Sequence, residues 1–122
     1  MEPMDARAFE SLRQARLREY GWIMPDDAQG LVSDLGDAFE DAGFAGIRVE
    51  WRGNGTFFAG GDVAPGGPDR FGALLAALVR ASYGPDRCAA TGANEDGRVV
   101  ISFATWTPEI GVATVRVEAA LK

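Results

Sequence analysis

Apolar side chains recur along this chain first at helical and later at strand spacing. Between Asp5 and Tyr20, Phe9, Leu12, Leu17 and Tyr20 fall near one helical face, with Asp5 placed to cap the first turn and Gly21 to end the last. The short apolar connector Gly21-Trp22-Ile23-Met24-Pro25 follows. A second helix opens at Pro25-Asp26-Asp27, where Asp26 and Gln29 have the spacing of a capping box. Its stripe is Leu31, Leu35, Ala38 and Ala42, with Phe39 beside them. Gly43 followed by Phe44 predicts a Schellman ending.

The period then changes to two. Ile47-Arg48-Val49-Glu50-Trp51-Arg52 alternates apolar and charged residues, and Gly53-Asn54-Gly55 before Thr56-Phe57-Phe58 predicts a hairpin. The glycine- and proline-rich stretch from Gly60 to Pro68 reads as a loop. Asp69 to Tyr83 reads as a third helix, with Phe71, Leu74, Leu75, Leu78 and Val79 on a broad apolar face, stopped by Gly84-Pro85. Three strands follow, a weak one at Arg87 to Thr91, a strong one at Arg98 to Trp106, and a last one from Val112 to about Ala119. Turns at 94–97 and 107–111 separate them.

Two helices, two strands, a helix and three strands, with hairpins as the main links, predict a single α+β domain over residues 1–122. The expected form is a two-layer domain, with an antiparallel sheet of about five strands and helices packed on one face, because a parallel sheet would need alternating crossovers. Val99, Ile101 and Phe103 then share the core face with Val115 and Val117. Arg48, Glu50, Arg52, Arg116 and Glu118 line the other face, which is solvated or meets a partner.

Composition narrows the chemistry more than the fold. The 122 residues match one domain with a core of its own. There is no histidine and one cysteine, Cys88. Serine-histidine and cysteine-histidine nucleophile chemistry is therefore absent from the chain, the commonest metal ligand is missing, and no intramolecular disulfide can form. Cys88, beside Arg87 and Asp86, reads as an inert, partly buried thiol. No catalytic residue, cofactor or metal site is assigned. The apolar run from Gly72 to Val79 is far too short to span a bilayer. Glu2, Asp5 and Arg7 rule the first residues out as a secretory signal, so a cytoplasmic location is expected. With 12 basic against 18 acidic side chains, net −6, binding to a nucleic-acid backbone by the whole surface is disfavoured.

That charge is concentrated. Residues 26–50 hold seven acids against Arg48 alone, and Asp34, Asp37 and Asp41 lie at i, i+3 and i+7 on one flank of the second helix. Three carboxylates along one exposed helix do not converge on an ion by themselves. They do attract and steer a basic partner. The leading expectation is accordingly a non-enzymatic interaction module, of the immunity, chaperone or phage-accessory kind, that engages a basic protein through Asp34, Asp37, Asp41 and the adjacent Trp22. The alternative is a small-molecule pocket or carboxylate-based enzyme site between sheet and helices, lined by Trp51, Phe57, Phe58 and Trp106 and gated by the 60–68 loop. That loop lacks phosphate-binding spacing, since Pro65 and Pro68 remove donors and Asp62 and Asp69 repel anions. Self-association through the alanine-rich side of the third helix or through a sheet edge is the third expectation.

Overall fold

A computed structural model describes residues 2–44, 46–62, 70–95 and 97–120. The elements are α1 (Ala6–Tyr20), α2 (Pro25–Asp41), β1 (Arg48–Trp51), β2 (Thr56–Asp62), α3 (Arg70–Ala81), β3 (Cys88–Glu95), β4 (Arg98–Thr107) and β5 (Gly111–Ala120). Asp5 caps α1 as its position predicts: its backbone is extended and Oδ1 accepts from the Ala8 N–H at 2.8 Å. The start of α2 differs from expectation. Met24 is the N-cap and no side chain caps the helix. Pro25 takes the first helical position, where its missing N–H costs nothing, and this moves Asp26 and Asp27 into the first turn, beside the positive end of the helix dipole. The other end is a Schellman turn, with Phe44 N–H on Phe39 O at 2.8 Å and Gly43 N–H on Glu40 O at 3.0 Å. Gly43 has φ +88°, a conformation that favours glycine.

The five strands form one sheet in the order β1-β2-β5-β4-β3. The domain is α+β as its element order predicts, with β3, β4 and β5 an antiparallel meander and β1–β2 a hairpin. Ile101 lies opposite Val117, and Phe103 opposite Val115. The sheet is mixed, however, because β2 and β5 run parallel from Thr56↔Thr114 to Asp62↔Ala120. One crossover is enough: α3 returns the chain so that β3 runs in the direction of β2, and two hairpins later β5 does so again. That pairing also draws Gly60, Gly61 and Asp62 into β2, where a loop was expected. A side chain at Gly61 would run into the Gly46 carbonyl, so the glycine permits the close approach. The remainder of the expected loop, residues 63–68, lies outside the described residues, and with it the anion site weighed there and Asp69, the expected first residue of the third helix.

The helices do not all share one face. Leu31, Leu35 and Phe39 of α2 and Leu74 and Leu78 of α3 pack with Phe57, Ile101, Phe103 and Val115 in the main core. A second, smaller cluster joins Phe9 of α1 to Ala89, Ala104, Trp106 and Val112, whose side chains point out of the opposite face. α1 thus covers one end of the face expected to be polar. The chain crosses the sheet rim at the connector, where Val112 N–H donates to Gly21 O at 2.8 Å and Ile23 N–H to Val112 O at 2.9 Å. Successive residues then diverge, with Trp22 on the α1 side and Ile23 buried in the main core.

Candidate functional site

The apolar stripe of α2 faces the sheet and α3, which leaves Asp34, Asp37 and Asp41 exposed on the flank next to the end of α3. There they line a shallow groove with Ala38, Arg80, Ala81 and Ser82. Arg80 is the cation on this rim, and its Nη1 stands 3.9 Å from Asp41 Oδ2 with both side chains largely in water. Such a loose, exposed pair contributes little to stability and is easily exchanged for another. The three aspartates are therefore brought to one surface, as their spacing predicts.

The segment that leaves α3 forms one side of this region and is held firmly. Ser82 Oγ donates to Val79 O at 2.6 Å, Tyr83 N–H donates to Thr105 Oγ1 at 3.2 Å, and Thr105 Oγ1 donates to Arg87 O at 3.1 Å. Tyr83 packs against the main core with its hydroxyl shielded from water and without a hydrogen-bond partner among the described residues. Burial pushes the phenol up from 10.0 to about 12, and Asp27 and Asp34 add to the shift by disfavouring a second negative charge. A raised acid favours folding while it stays neutral, so this contribution is complete below pH 10 and is lost as the pH climbs through about 12. An ultraviolet titration of phenolate should show a late step near 12 that disappears in Tyr83→Phe. In an Asp27→Asn, Asp34→Asn variant that step should move down yet stay above 10, since burial is the larger cause.

Trp22 does not join the aspartates. Its ring lies over Gly55 on the α1 side of the sheet, with the Arg13 guanidinium 5.9 Å from its centroid. Met24 and Trp22 are the large exposed hydrophobics among the described residues. The four aromatics of the alternative pocket are likewise divided. Trp51 and Phe57 are opposite one another on the main-core face, Phe57 wholly buried. Phe58 lies on the other face beneath Arg52, 4.3 Å from ring centroid to guanidinium, while Trp106 is buried under α1 with Arg16 5.3 Å from its ring. The sheet stands between the pairs, and they line no common cavity.

Several charges of the remaining polar face pair with one another. Glu118 receives Arg116 at 2.9 Å and Arg98 at 3.8 Å, and Glu50 receives Arg52 at 3.4 Å. Cys88 is half-buried, and burial pushes its thiol up, away from the thiolate form that reacts. Among the described residues no three carboxylate or thiol side chains converge closely enough to hold a metal ion, and no helix is long and apolar enough to cross a membrane. Arg80, Ser82 and Tyr83 were invisible in the α2 spacing, because only the packing of α2 on α3 brings them there. Compared with known proteins, the chain matches no family model, no curated sequence and no solved structure.

Proposed function

We propose that this chain is a non-catalytic protein-interaction module whose α2–α3 groove receives cationic side chains of a basic partner. The reading rests on one arrangement: Asp34, Asp37 and Asp41 all reach water on one flank, and among the described residues the cation lining the groove is a loosely held Arg80. A partner's lysine or arginine exchanges with Arg80 at small cost, gains up to three carboxylates, and is drawn in by the concentrated charge of α2. A cytoplasmic setting is part of the same proposal.

The test is titration calorimetry with an arginine- and lysine-rich peptide at low and high salt. Neutralising Asp34, Asp37 and Asp41 to asparagine should weaken binding about tenfold or more, taking each exposed pair at roughly 0.5 kcal/mol or above. Neutralising Glu2, Asp86 and Glu109 instead changes net charge equally but leaves the groove intact, and should weaken binding far less. Equal losses in the two triple variants would mean that the peptide senses only overall charge, and the proposal would fall.

A further inference from the structure

The two edges of the sheet are finished differently. At one edge β1 is four residues long and exposes Arg48 and Glu50, the short, charged form that keeps a strand from pairing further. At the other edge β3 runs for eight residues, with neither charge nor proline from Cys88 to Asn94. Trp106 N–H donates to Arg87 O at 3.0 Å, so the odd-numbered residues of β3 turn their main-chain groups towards β4. Cys88, Ala90, Gly92 and Asn94 turn theirs outward. Met4 N–H already takes the outward carbonyl of Ala90 at 2.8 Å, which demonstrates that this edge accepts a main-chain donor. Ala89 and Ala90 are buried around that contact, whereas Gly92 and Ala93 are exposed. Among the described residues no other main-chain donor or acceptor outside the sheet reaches β3.

We infer that the open half of β3 pairs antiparallel with β3 of a second copy of this chain, joining two five-stranded sheets across a twofold axis at Ala93. The register follows from the page. A twofold at Thr91 or Gly92 would need the Ala90 carbonyl that Met4 occupies, while one at Ala93 uses only the outward groups of Gly92 and Asn94. Gly92 then faces Asn94 of the partner and Asn94 faces Gly92, closing four main-chain hydrogen bonds, with the two Ala93 Cα atoms about 4.5 Å apart at a non-hydrogen-bonded position. The strand is complementary to itself, because Thr91, Gly92 and Ala93 are small and uncharged and bring no charge against its like. A three-residue ladder is a small interface, below the size of most specific ones, so the dimer is weak and reversible.

This surface is separate from the α2–α3 groove, and its test is independent of peptide binding. Sedimentation across dilutions from micromolar to millimolar should show the mass rising from 13.0 kDa towards twice that value. Ala93→Lys and Ala93→Glu each set like charges face to face and should remain monomeric, while an equimolar mixture should associate again. Restoration by mixing is not expected of an interface elsewhere. In the unaltered chain, hydrogen exchange at the Gly92 and Asn94 amides should slow as concentration rises, a reading that needs no variant to fold. A monomer at every concentration, a dimer indifferent to both substitutions, or exchange at those amides independent of concentration would overturn the inference.

Discussion

Phe103→Ala is expected to lower stability by about 3–5 kcal/mol, a large part of the roughly 5–15 kcal/mol that holds a domain folded. Phe103 is 1% exposed in the body of β4, between Ala90 on β3 and Val115 on β5. Its ring fills the space between the sheet and the α2–α3 layer, and the small side chain at Ala90 cannot swing in to replace it. The helices are tied by their own packing and the strand by its ladder, so the void stays open and its lining loses contact on one side. Urea unfolding should show the midpoint falling with the slope unchanged, the mark of lost packing rather than an altered unfolded state. A loss below about 1.5 kcal/mol would place Phe103 outside the main core.

The second large effect is at Gly111. Its φ of +98° is strained for any residue with a side chain, and a Cβ there would stand 2.8 Å from Trp22 C and O and 2.9 Å from Gly21 O. These are main-chain atoms, which cannot rotate away. Gly111→Ala should therefore cost about 2–4 kcal/mol, from the backbone strain and from loosening the two hydrogen bonds that pin the connector to Val112. Gly43→Ala is the comparison, since Gly43 has φ +88° but nothing within 4 Å of a new Cβ, and should cost only about 1 kcal/mol. The difference reports the connector alone. In Gly111→Ala the Ile23 and Val112 amides should also exchange faster, while those of α3 keep their protection. Equal costs at the two glycines would show that the rim crossing does not depend on this close approach.

Local chemistry was readable in the residues wherever one element decides its own form. The cap at Asp5, the Gly43–Phe44 ending and the facing of Ile101 and Phe103 on Val117 and Val115 are all short-range matters of period and backbone. The same period of two separates Phe57 from Phe58, adjacent residues of one strand, so their division between faces was implicit in their numbering. Which face of the sheet α1 would cover was not implicit, because an amphipathic stripe says that a helix is buried on one side, not what it is buried against. The run Ala104-Thr105-Trp106-Thr107 alternates apolar and polar in sequence yet is buried throughout, which only the second layer explains. The groove divides in the same way: its aspartates follow from helical spacing, but Arg80 and Ser82 come from a different part of the chain, and no pattern within α2 names them.

The docking of α1 also sets an order of assembly. The helix built from the first twenty residues rests on Ala89, Ala104, Trp106 and Val112, residues of the last three strands to be made. As the chain emerges from the ribosome α1 has no surface to bury Phe9 against until β5 has begun, some ninety residues later, and a solitary helix of 15 residues is marginal in water. The main core can close first, with α1 undocked and the connector not yet laid along Val112. Folding then finishes on the N-terminal side of the fold, and the step that clamps α1 down is also the one that seals the smaller core.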